Sequence, residues 1–268
     1  MVGKSKNIIP LFFIIGFYGV AIFINKDLIR PKIEISKQDS ALNFNTHFLK
    51  FVSMGNRRFF ADIIWVQTLL ASDEVHYKKN DLNSWMYIRF NNVAELDPLF
   101  YQNYLWGGIY LSIVKDDRLG AAEIFEKGLK YYPNDYDLNY NAGFNYYAQL
   151  NNYKRAHELF SRIENNPKAP RFLITLNARI KFQDNFDFDG TMAFLLDHYN
   201  KSNDEMLKRK IKDSLYSLKA ERDLNCLNSN TQEKNCDRKD LNGINYQMKN
   251  GQYITEKPFT PYRIHKNQ

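Results

Sequence analysis

The chain has 268 residues, 44% of them hydrophobic, with 18 Tyr and 20 Phe, enough for a sizeable core or for one drawn out along stacked helices. Its formal net charge of +7 is interleaved with acids, and the dense basic cluster is Lys208, Arg209, Lys210 and Lys212. That pattern argues against nucleic acid as a partner and fits contact with an anionic surface or an acidic protein.

Ile8 to Ile24 is seventeen residues without a charge. At about 1.5 Å per residue the run reaches about 25 Å, the short end of a membrane span. No small-x-small cleavage site follows it, and it is long for the apolar region of a signal peptide. The expectation is an uncleaved transmembrane anchor over residues 1–26 of a single-pass inner-membrane protein. Lys4 and Lys6 on one side balance Lys26, Arg30 and Lys32 on the other, so charge does not decide the orientation. The short leading tail and the large following domain favour a periplasmic domain.

Residues 27–56 read as a linker in which Leu42, Phe44, Phe48, Leu49 and Val52 predict a short amphipathic helix. Gly55-Asn56 breaks it, and Asn56 can cap the next helix. Arg57 to Tyr77 is apolar almost all the way round, which predicts burial between the linker helix and a helix over Trp85 to Glu95. Asp62, four residues after Arg58, offers an intrahelical ion pair.

Tyr101 to Pro167 is one pattern written twice, thirty-five residues apart. Gly108 falls on Gly143, Ala121 on Ala156, Phe125 on Phe160 and Asp117 on Asn152, and Pro98 and Pro133 keep the same interval. Small residues at two fixed points, an aromatic four after the second and a closing Pro make the pattern similar to the tetratricopeptide repeat. Gly128 and Ile163 stand where that family has Ala, and both copies carry one extra residue between the Gly and the next Ala. The resemblance implies an all-α, TPR-like helical-hairpin solenoid over 57–224, with about four hairpins and an end-cap helix, behind the transmembrane helix.

A further hairpin is predicted over Arg171 to Gln183 and Gly190 to Tyr199. The intervening Asp184 to Asp189 lacks the Gly and the closing Glu of a calcium loop. Ser202 and Glu205 form a capping box, and Leu207, Ile211, Leu215 and Leu218 recur at helical spacing behind it, as an end-cap needs. The tail, 225–268, is polar and holds Cys226 and Cys236, which an exported protein would join in a disulfide. Pro258, Phe259 and Tyr262 loosely match the C-terminal segment of pseudopilin-like proteins, whose Asp and second Gly are missing here.

His47, His76, His157, His198 and His265 have no ligand spacing, and no phosphate loop, nucleophile elbow or metalloprotease motif occurs. The expectation is a chain with no metal, no cofactor and no catalytic activity. The family resemblance implies a partner groove lined by Leu105, Ile109, Tyr140, Phe144, Tyr147, Arg179 and Phe182. Its candidate occupants are an apolar segment of a protein partner and the chain's own tail, through Tyr253, Ile254, Phe259 and Tyr262. The function expected from this reading is a membrane-anchored scaffold or adaptor in a bacterial envelope complex, related to pili or secretion. The alternatives are a membrane-tethered adaptor or chaperone on the cytoplasmic side, and an envelope enzyme without a recognisable motif.

Overall fold

The structure, a computed structural model, describes residues 16–20, 36–73, 75–79, 81–229 and 236–262. The chain divides into two compact units, Met1–Ala41 and Leu42–Gln268. In the first, residues 16–20 are helical. Lys37–Ser40 makes one further turn, capped by the Ser36 hydroxyl, which accepts the Asp39 amide at 3.2 Å.

Among the described residues no helix is long and apolar enough to cross a membrane. This corrects the expected transmembrane anchor, and with it the inner-membrane placement, the periplasmic domain and the membrane as a partner through Ile8 to Ile24. The physical weakness of that expectation is length, since seventeen residues stand at the bottom of the range that crosses a hydrocarbon core about 30 Å thick. Apart from residues 16–20, the run itself lies outside the described residues.

Among its described residues the second unit is all-α save for one small hairpin. Its helices are α1 (Thr46–Val52), α2 (Arg57–Leu70), α3 (Trp85–Leu96), α4 (Tyr101–Ile109), α5 (Arg118–Tyr131), α6 (Tyr136–Phe144), α7 (Tyr153–Ile163), α8 (Phe172–Asn185), α9 (Phe188–Lys201) and α10 (Glu205–Leu227). Each packs chiefly on its chain neighbours: α2 on α3, α4 on α5, α6 on α7, α8 on α9, with α10 closing on α8 and α9. The stack of hairpins is therefore local in sequence, and a 35-residue interval can be followed through its backbone.

Side chains of Asp117, Asn152 and Asp187 cap α5, α7 and α9 by accepting the amides of Gly120, Arg155 and Gly190 at 2.9, 3.1 and 2.9 Å. Each cap follows a residue in the left-handed region, Asp116, Asn151 and Phe186 with φ of 53°, 52° and 50°. Between glycine and cap, α4 and α6 widen into π turns, Tyr110–Val114 and Asn145–Gln149. There the Lys115 amide reaches back five residues to Tyr110 at 3.0 Å, and that of Leu150 to Asn145 at 3.1 Å. The π turns hold the extra residue of each repeat, which lets both flanks keep their packing.

Other expectations shift in register. Arg58 faces Asp97 at 3.9 Å, from another element, rather than Asp62. The cap of α10 is Asp204, which accepts the Met206 amide at 2.9 Å, while Ser202 holds the Asp204 amide. In the tail, β1 (Gln247–Lys249) and β2 (Gln252–Ile254) pair antiparallel through Asn250 and Gly251, both at positive φ, as a two-residue hairpin turn requires.

Candidate functional site

Most of the expected groove residues sit inside the stack. Leu105 is buried. Tyr140, Phe144 and Tyr147 are half-buried in the cluster around Phe160 and Ile163. The Phe144 ring lies 4.8 Å from that of Tyr140 and 5.1 Å from that of Phe160, so these rings join the two helices of one hairpin. The exposed apolar side chains here are Trp106 on α4, next in sequence to the expected Leu105, and Ile113 in the π turn, on either side of Ile109 in the chain.

Arg179 and Phe182 lie elsewhere, at the other end of the stack, against the tail. Tyr262 is buried among Ile174, Ala178, Phe182, Leu207 and Leu218. Its ring is edge-on to Phe182 at 5.6 Å, and the Arg179 guanidinium stands over it at 5.2 Å. Gln183 donates to the Tyr262 carbonyl at 3.3 Å, and the Tyr262 amide donates to Glu221. Burial pushes the Tyr262 phenol well above its usual range. The rest of the tail is fastened to α10. Cys226 and Cys236 are disulfide-bonded with a Cα–Cα distance of 5.7 Å, Tyr246 donates to Asp223 at 3.0 Å, and Tyr216 donates to the Lys257 carbonyl at 3.1 Å.

Several polar groups within the stack pair with one another. Ser84, the cap of α3, donates to Asp117, and Lys115 is buried against Asp73 beside the Trp85 ring. Burial pushes the Asp117 carboxyl above the usual carboxylate range, against the opposing effect of its hydrogen bonds from Ser84 and Gly120. Between α7, α8 and α9, Asn177 joins His157 at 2.8 Å to Glu164 at 2.6 Å, and His198 lies 3.5 Å from Glu164. Among the described residues no group of three His, Cys, Asp or Glu could hold a metal ion.

The surface that stands open is on α2. The sequence predicts this helix buried on all sides, wedged against the linker helix. Instead α1 docks on α3, where Thr46 donates to Asn92 at 2.6 Å, Asn92 donates to the Phe44 carbonyl at 2.9 Å and Lys50 pairs with Glu95 at 3.2 Å. One face of α2, with Ala61, Ile64, Trp65 and Thr68, packs inward, and the Trp65 ring lies tilted against that of Phe100 at 5.4 Å. The other face carries Phe59, Ile63, Val66 and Leu70, exposed by 62%, 36%, 46% and 82%. Their spacing of four, three and four residues draws one stripe along the helix, the spacing of a coiled-coil seam. At its start an open cleft of about 850 Å³ is lined by Arg57, Phe59, Asp97, Leu99 and Tyr131.

The sequence holds this 4-3-4 stripe in plain view. It was hidden by the inner stripe beside it, which makes the whole helix read as core. No protein-family model, no curated protein and no solved structure matches this chain. That corrects the expectation of membership in the tetratricopeptide family. Among the described residues the chain is helical save for the tail hairpin, and its helical hairpins repeat at thirty-five residues with a π turn in the first helix of two of them.

Proposed function

We propose that this chain is a binding protein rather than an enzyme, and that it takes a partner helix along the open face of α2. The observation that supports this reading is the stripe Phe59, Ile63, Val66 and Leu70, which stays in water although the helix behind it is part of the core. Four large apolar side chains at seam spacing form a ridge that fits a helix of matching pattern. Left exposed, such a ridge costs solubility, and exposed patches of this size mark interaction sites. The earlier envelope, pilus and membrane-tethered readings fall with the anchor, and the reading here needs none of them.

A photo-crosslinking amino acid at Val66 in the full chain, produced in its own cells, tests the reading. A control at Lys210, exposed on α10, defines background. The expected result is an adduct specific to position 66 whose crosslinked peptide is a helix with apolar residues at seam spacing. No adduct above that of position 210 would overturn it.

A further inference from the structure

We infer that the helix received by α2 is the α2 of a second copy of this chain, lying antiparallel to it. The inference rests on reading α2 as a docking face, and adds the identity and direction of the occupant.

Area supports a second copy. At about 200 Å² per large side chain, the exposed fractions of Phe59, Ile63, Val66 and Leu70 offer about 400 Å². Phe48, Phe51 and Met54, in the helix and turn that lead into α2, are each at least half exposed and offer about as much again. Together they approach the ~800 Å² per partner of a stable interface. The stripe is also self-complementary in character. Two seam repeats of apolar residues, flanked by the exposed Asp62 and Gln67, present no run of one charge that would select a different protein.

Charge sets the direction. The first turn of α2 contains Arg57 and Arg58 and no acid, and its last turn contains no base. Both ends are thus mismatched to the helix dipole within one chain, since cations belong at the C-terminal end. Arg58 lies 3.9 Å from the Asp97 carboxylate, and its side chain stays 78% exposed. Parallel pairing would gather four arginines at one end. Antiparallel pairing separates the two pairs by about 20 Å and sets each beside the C-terminal end of the other copy's helix. There the guanidinium groups meet the negative end of the helix dipole, where the Gln67 and Leu69 carbonyls already accept the Ala71 and Ser72 amides.

Sedimentation of the full-length chain across a concentration series tests the association. The expected result is a monomer–dimer equilibrium, weakened about a hundredfold or more in the Val66→Glu, Leu70→Glu double variant, because each glutamate would be buried unpaired in the seam. Both positions are exposed in one copy, so helicity should match the parent, and thermal unfolding should match it at concentrations where the parent is monomeric. Direction is read by mixing a Phe59→Cys chain with a Leu70→Cys chain under mild oxidation. Disulfide-linked mixed dimers, with little self-linked Phe59→Cys, are expected. A chain that stays monomeric at every concentration overturns the second copy. A position-66 adduct to another protein would then leave the docking face itself standing. Efficient self-linking of Phe59→Cys overturns the antiparallel direction.

Discussion

Gly143 lies so close to Phe160 that a methyl group on its α-carbon would overlap the ring, and Gly108 bears the same relation to Phe125. In an exposed helix a Gly→Ala change adds about 1 kcal/mol of stability. Here the sign reverses. Gly143→Ala should destabilise the protein by about 1–3 kcal/mol in urea unfolding, through forced displacement of the ring. Phe160→Leu on the Gly143→Ala background should recover part of that loss, and a double-mutant cycle would show the coupling. Additive effects would mean that the two residues do not meet.

Asp117 caps α5 from a fully buried position, and burial raises its carboxyl pKa above the ordinary range. A carboxyl whose folded pKa is raised holds its proton more tightly folded than unfolded. Its contribution to stability therefore declines as pH rises from the ordinary carboxylate value through the raised one. Asn keeps a capping oxygen without the charge, and Asn152 already holds that place one repeat later. Asp117→Asn is expected to be at least as stable as the parent at pH 7, with an advantage that shrinks on acidification. Unfolding curves for both proteins across pH 4 to 7 would check this. A variant that loses ground as pH rises would show the ionised carboxylate to be stabilising.

Tyr262 fills the end of the stack, yet its hydroxyl is buried with no hydrogen-bond partner among the described residues. The ring and the hydroxyl should separate cleanly in mutants. Tyr262→Ala is expected to cost about 3–5 kcal/mol. Tyr262→Phe should cost nothing or add up to about 1 kcal/mol, since it removes a desolvated polar group. Thermal melts of the two variants, with limited proteolysis of the tail, give the comparison.

The Cys226–Cys236 bond closes a short ring and ties the tail to the end of α10. In the chain-entropy view such a ring contributes about 3 kcal/mol at most. Replacing both cysteines by Ser should speed proteolysis near residues 236–246 while the hairpin stack melts nearly as before. Tyr216, Tyr246 and Tyr262 still hold the tail in that variant. A large fall in the melting of the whole unit would mean that the bond supports the stack and not the tail alone.

The repeat was legible because its information is local. Gly108 with Phe125, Gly143 with Phe160 and the caps Asp117 and Asn152 all act within one hairpin, so a fixed interval reveals them. The fate of α2 was not legible. Its apolar inner and outer stripes look alike in sequence, and what decides which is covered is where α1 lands. That choice is made by Asn92, Glu95 and Arg89 on α3, more than forty residues away. The groove assignment failed to predict exposure for a related reason, since spacing finds the face of α6 but not whether Tyr153 and Phe160 already fill it. The tail hairpin was missed although Asn250-Gly251 announces it, because the surrounding strands are only three residues long.

The widened turns after Gly108 and Gly143 have a consequence for comparing this chain with others. A loop insertion leaves its neighbours untouched and is easy to skip in an alignment. Here the additional residue lies within continuous helical backbone, and the helix beyond it is again capped and in phase. Any comparison that holds the glycine-to-alanine interval fixed slips by one residue in each of these two hairpins, and the two slips add.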